Sequence, residues 1–243
     1  LDGITVIIRA LYYIATIGAA GLAIFAIGFE HRLEAHEAAR LRRTLLGAIL
    51  AGLALSLLAL ILRVLVLTAG ANISDPNVWA AVMRSRIGDA FWLRTAGLVL
   101  LAAMVTNWRI RSAMTAIGAL LMLASYAAMG HSMLFAPRQE IAALVVLHLA
   151  VVSFWVGSLP PLLWVARRPN GISAVSLIQD WSRAAIWSVM IMLITGTLLS
   201  WYLTLRLDRI FDAWHGWALA WKVMAVLVAL GLALWKKKLR LAQ

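Results

Sequence analysis

Five histidines and nine methionines are the side chains in this sequence best suited to hold a transition metal, because the chain has no cysteine and so no thiolate. Three of the histidines, His131, His148 and His215, are predicted near one side of a membrane-spanning bundle. His131 ends the fourth apolar run, His148 lies about 10 Å along the fifth by helical rise, and His215 precedes the seventh. Met129 and Met133 flank His131, and Met83 lies in a segment assigned to the same side. Imidazole and thioether together are a donor set that copper accepts, Cu(I) above all. An ionisable group inside a span is expensive and marks function by default, although a histidine bonded to a neighbouring helix would also account for it. His31 and His36 fall in Glu30-His31-Arg32-Leu33-Glu34-Ala35-His36-Glu37, whose alternating charge reads as a solvated helix end and not as a metal site.

The elements that must position these groups follow from composition. Apolar residues make up 64% of the 243 and charged residues only 13%, so water is not the main solvent of this chain. The bilayer core requires about 20 apolar residues per helix. Seven runs meet that length approximately, at 4–28, 44–70, 91–107, 113–130, 141–165, 183–205 and 217–235. The first is long enough to span and is not read as a signal peptide. Residues 72–90, with Pro76, Trp79 and Met83, suit a short interfacial helix. The expected fold is all-α: one polytopic transmembrane helix bundle over 1–243, with short connections and no soluble domain.

A formal charge of +12 would suggest nucleic acid in a soluble protein, but here the cations cluster between apolar runs. Arg32, Arg40, Arg42, Arg43, Arg109, Arg111, Arg167, Arg168, Arg183, Lys236, Lys237, Lys238 and Arg240 fall on one side. Arg84, Arg86, Arg138, Arg206 and Arg209 fall on the other. The positive-inside rule then puts the N terminus outside and the C terminus in the cytoplasm. Trp92, Trp108, Trp164, Trp181, Trp201, Trp214, Trp217 and Trp235, near span ends, are expected to be interfacial anchors. Arg9, Arg63, Arg94 and Lys222 lie in or near the outer half of the spans with few acids nearby. Snorkelling toward headgroups is the default for them; a site for lipid phosphate or another anion is the alternative.

An internal repeat organises the chain. Gly88-Asp89-Ala90-Phe91-Trp92-Leu93-Arg94 and Gly216-Trp217-Ala218-Leu219-Ala220-Trp221-Lys222 both place a cation six residues after a glycine, which makes Arg94 and Lys222 paired members of a cationic site. Leu11-Tyr12 pairs with Leu147-His148, and Gly21 with Gly157. Two four-helix units in the same orientation are expected, one about 1–130 and one about 141–243. The second would be incomplete, since an eighth span after Lys236–Arg240 would fall beyond Gln243.

Gly130-His131-Ser132, Leu147-His148-Leu149, Trp155-Val156-Gly157, Trp181-Ser182, Thr195-Gly196 and His215-Gly216 with Lys222 together resemble the copper resistance protein D (CopD) family. The likeness is strongest from Gly130 to Lys222. It implies a bacterial inner-membrane protein, typically of eight spans, that moves copper between periplasm and cytoplasm. Val145 and Val146 stand where an acidic residue is expected before the span-five histidine, and His215 stands in place of a tyrosine. The metal ligands expected are His131, His148, Met133, Met129 and His215, with copper as cargo and a periplasmic copper-carrier protein as a partner beside the lipid bilayer. With no phosphate-binding Gly-Lys-Ser/Thr run and no cytoplasmic domain, no enzyme is expected. The competing classes are a b-type haem electron-transfer subunit, using His131 and His148 axially, and a structural or assembly subunit of a larger membrane complex.

Overall fold

A computed structural model describes residues 2–68, 73–106, 109–129, 137–167 and 172–204. The predicted span at 217–235, the expected eighth span, and His131, Met133, His215 and Lys222 lie outside the described residues. Among the described residues seven α-helices follow in chain order: α1 (Asp2–Phe29), α2 (Ala35–Leu67), α3 (Pro76–Met83), α4 (Arg86–Leu101), α5 (Arg111–Met129), α6 (Arg138–Ala166) and α7 (Ile172–Thr204). Short 3-10 turns extend α1 over Glu30–Arg32 and α4 over Ala102–Val105. Six of these helical segments are long and apolar enough to cross a membrane, and α3 is the short helix foreseen between the second and third spans. Residues 1–199 form one compact unit, described here, and 200–243 a second, in which only the last turn of α7 is described.

The helices outrun the apolar runs that announced them. α2 begins at Ala35, nine residues before the predicted span, and α7 begins at Ile172, eleven residues before its own. Hydropathy registers only the part of a helix in lipid, whereas the helix continues until its backbone meets a stop signal. For α2 that signal is a capping box, in which the Glu34 amide donates to Glu37 Oε2 at 3.1 Å. Asp75 caps α3 through the Asn77 amide, with Pro76 in the first turn, and Ser85 caps α4 through the Ile87 amide. α3 and α4 meet so tightly that a Cβ on Gly88 would lie 2.1 Å from the Met83 carbonyl oxygen.

Packing follows the rule for helices in lipid, where burial from water gives little drive and close approach through small residues decides. Ala19, Ala20, Gly21 and Ala23 of α1 are buried against α6 and the remaining core. A Cβ on Gly21 would stand 1.8 Å from the Ser153 carbonyl oxygen, and one on Gly157 would stand 2.0 Å from the Gly21 carbonyl carbon. α4 and α5 cross in the same way at Gly97 and Gly118. α2 buries Leu41, Leu45, Ile49, Gly52, Ser56, Leu60 and Val64, a stripe of threes and fours, while Leu50, Leu57 and Leu58 face outward into the apolar solvent.

At one end of the bundle several charges are paired. Glu30, only 7% exposed, accepts from Arg42 of α2 at 2.6 Å and contacts Arg111 at the start of α5 at 2.9 Å. Arg32 reaches Asp180 of α7 at 2.6 Å, and Arg40 lies over the Trp164 ring near the end of α6. The expectation that Glu30 to Glu37 is a solvated helix end therefore needs correction. His31, Arg32, Glu34 and His36 are exposed, but Glu30 and Glu37 are buried. Glu30 turns inward because two spans bring guanidinium groups to it, which alternation of charge along the sequence cannot reveal.

Candidate functional site

Two constellations of polar groups lie within the spans. The first surrounds His148, eleventh residue of α6, roughly 15 Å along it by helical rise. Its Nδ1 lies 3.0 Å from the Thr195 hydroxyl of α7. The Thr195 hydroxyl is also 2.7 Å from the carbonyl of Ile191, one turn earlier. A hydroxyl has one proton, and when it goes to that carbonyl the Thr195 oxygen accepts from Nδ1–H. Nε2 then carries the lone pair of the ring, the arrangement in which a metal-binding imidazole is usually held by a neighbour. Gly196 keeps the space beside the ring open: a Cβ there would be 3.6 Å from His148 Cε1.

Roughly two turns or more away from this pair, α6 and α7 are joined by aromatic side chains. Trp155 donates its indole N–H to Ser188 at 2.8 Å and meets Trp181 edge to face, while Phe154 stacks on Trp181. Trp155 and Trp181 thus pack between two spans, and Trp181 does so next to Asp180, which is ion-paired with Arg32. Trp92 and Trp201, by contrast, are largely exposed on the helix surface. Met192 is partly buried one turn before Thr195, on the same stripe of α7, and is a thioether the sequence reading did not single out. Among the described residues no group of three or more His, Cys, Asp or Glu gathers into a metal site. The described part of the chain therefore supplies one imidazole at this place and not a complete ligand set.

The second constellation is a cavity of about 710 Å³ among α1, α2, α4 and α5, with residues from the beginning of α1 and α4 and the end of α2 and α5. It opens at the end of the bundle opposite the Glu30 cluster. Arg9, Arg63 and Arg94 line it together with Tyr12, Tyr13, Tyr126, Ser56 and Met129. Arg94 sits about 12 Å into α4 by helical rise and is only 7% exposed, so it does not snorkel to the surface as expected by default. Its guanidinium carbon lies 4.8 Å from the centre of the Tyr12 ring and 5.2 Å from that of Tyr126. The three tyrosine rings pack on one another, and the Tyr126 hydroxyl is hydrogen-bonded to Thr16, whose own hydroxyl donates to the Tyr12 carbonyl at 2.7 Å. Arg9 and Arg63 are exposed at the mouth.

Of the metal ligands expected from the sequence, only Met129 and His148 fall among the described residues. Met129, expected as a ligand flanking His131, lines the arginine cavity, whose described lining residues come from α1, α2, α4 and α5. Arg94 and its tyrosines were legible only in part: the cation stood out within an apolar run, but tyrosines at helical spacing look like ordinary core.

Residues 1–136, more than half of the chain, match the family model described as copper resistance protein D-like, N-terminal domain. No curated protein and no solved structure matches the chain. The matched segment contains α1 to α5 and with them the whole described lining of the cavity, whereas His148 lies beyond it. With that match and six apolar spans, the chain is a multi-pass membrane protein that belongs to the copper resistance protein D-like family.

Proposed function

We propose that this protein takes copper, as Cu(I), from the outer side of the bacterial inner membrane and passes it inward without catalysing a reaction. Membership in a copper resistance family carries the assignment of the metal. His148 supports the location: it is an imidazole inside the bundle, shared between α6 and α7, with Thr195 placed to fix its tautomer. The remaining ligands proposed are His131, Met133 and His215 with Met129, and Met192 offers a further thioether one turn along α7. The orientation proposed has the N terminus periplasmic and the arginine-rich end around Glu30 cytoplasmic, so that the cavity mouth faces the periplasm and a copper carrier there. The Gly21–Gly157 contact favours the proposed repeat, since residues related by a two-fold axis along the membrane normal meet each other where two repeat-related helices cross.

Metal analysis of detergent-purified protein tests this. Wild type loaded with Cu(I) and washed should retain stoichiometric copper, and His148→Ala and His131→Ala/His148→Ala should not. Equal, negligible copper in all three would remove the assignment and favour a structural subunit. A Soret band with a redox-sensitive α band in the purified protein would replace copper with haem b.

A further inference from the structure

We infer that the cavity around Arg94 is a binding site for a phosphate oxyanion, the phosphodiester of an anionic phospholipid headgroup being the source the surroundings favour. Charge is the first ground. At the Glu30 end Arg32, Arg42 and Arg111 all contact a carboxylate. At the cavity end Arg9, Arg63 and Arg94 have no carboxylate partner among the described residues, and no acid is found among the described lining residues. Asp75 is engaged in capping α3 and Asp89 is exposed on α4.

Burial is the second ground. Arg94 is 93% buried, and its Nε has no hydrogen-bond partner among the described residues. The faces of two tyrosine rings attract the charge but accept none of its N–H groups in the manner of an oxygen. An arginine taken out of water in an apolar span without a counter-charge costs several kcal/mol. A planar guanidinium is the side chain best matched to the paired oxygens of a phosphate.

The third ground is the shape of the wall. Leu60, Leu62, Val66, Leu67, Ile87 and Phe91 form an apolar face beside the arginines, and Val66 and Leu67 are exposed on the outside of α2. A ligand with a charged head and a hydrocarbon tail satisfies both surfaces at once, whereas a free anion satisfies only the arginines. The site is independent of copper binding and stands whether or not His148 holds the metal.

Native mass spectrometry of protein purified through a delipidating wash, then titrated with phosphatidylglycerol, phosphatidylcholine or inorganic phosphate, tests the site. Wild type should retain phosphatidylglycerol preferentially. Arg94→Gln should bind it roughly tenfold or more weakly, the loss expected for a charged hydrogen-bonding partner. Arg9→Gln/Arg63→Gln, at the exposed mouth and without effect on packing, should weaken it by a smaller factor and guards against misfolding of the Arg94 variant. Stabilisation by inorganic phosphate alone, lost in the same variants, would keep the oxyanion site and assign it to free phosphate. Equal retention of all three probes, or unchanged phosphatidylglycerol binding in both variants, would overturn the site.

Discussion

Substituting Gly21 by alanine adds a single methyl group at the point where α1 and α6 touch, and the geometry predicts its cost. The new Cβ would start 1.8 Å from the Ser153 carbonyl oxygen and within 2.8 Å of the Gly157 amide, both backbone atoms that no rotamer change can move. To reach even the 3.0 Å below which real Cβ contacts are essentially never found, the two helices must separate by about 1.2 Å. A gap of about 1 Å already forfeits roughly half of the dispersion energy of a contact, so this one forfeits at least that at each contact across the crossing. In a membrane this loss is not offset by burial elsewhere, because packing is the main attraction between spans. A destabilisation of about 3 kcal/mol is expected, at the upper end for overpacked cores. Gly18→Ala on the same helix is the control: a Cβ there meets nothing within 4 Å, so alanine should be neutral or stabilise by about 0.5–1 kcal/mol through helix propensity. Thermal unfolding of detergent-solubilised protein, followed by loss of monodisperse protein on a sizing column, reads both variants. Equal midpoints for Gly21→Ala and Gly18→Ala would refute the close crossing of α1 and α6.

Three further outcomes are expected. Thr195→Val removes the oxygen that faces His148 Nδ1 and should weaken copper retention roughly tenfold, as second-shell changes do, while Thr195→Ser retains it; identical copper affinity in both would detach Thr195 from the site. Glu30→Gln leaves Arg42 and Arg111 without their counter-charge and should destabilise by about 2 kcal/mol, less than for a fully buried pair because both arginines are partly exposed; an unchanged unfolding midpoint would count against the cluster. A single cysteine at position 138, exposed at the start of α6, should react with an impermeant thiol reagent in intact spheroplasts. Reaction only after the membrane is opened would invert the proposed orientation.

What the sequence determined by itself is the part of the fold governed by local chemistry and by the solvent. A bilayer demands long apolar helices, so the six described spans and the short helix between the second and third could be located from hydropathy alone. Their ends were less legible, since α2 and α7 continue well past the lipid into polar residues, where only a cap or a turn stops them. Arg94 stood out as a cation in an apolar run. That Arg9 and Arg63 line one cavity with it, that three tyrosines enclose it, and that Met129 lies there too depend on which faces of α1, α2, α4 and α5 meet. Glu30 looked solvated beside its charged neighbours until two other helices brought Arg42 and Arg111 to it. Likewise Gly21 and Gly157 could be paired by position, but only packing brought their backbones into contact. The physical reason is the same in each case: in lipid nearly every helix face is apolar, so hydrophobic periodicity does not say which face turns inward, and small residues and buried charges decide it through partners distant in sequence.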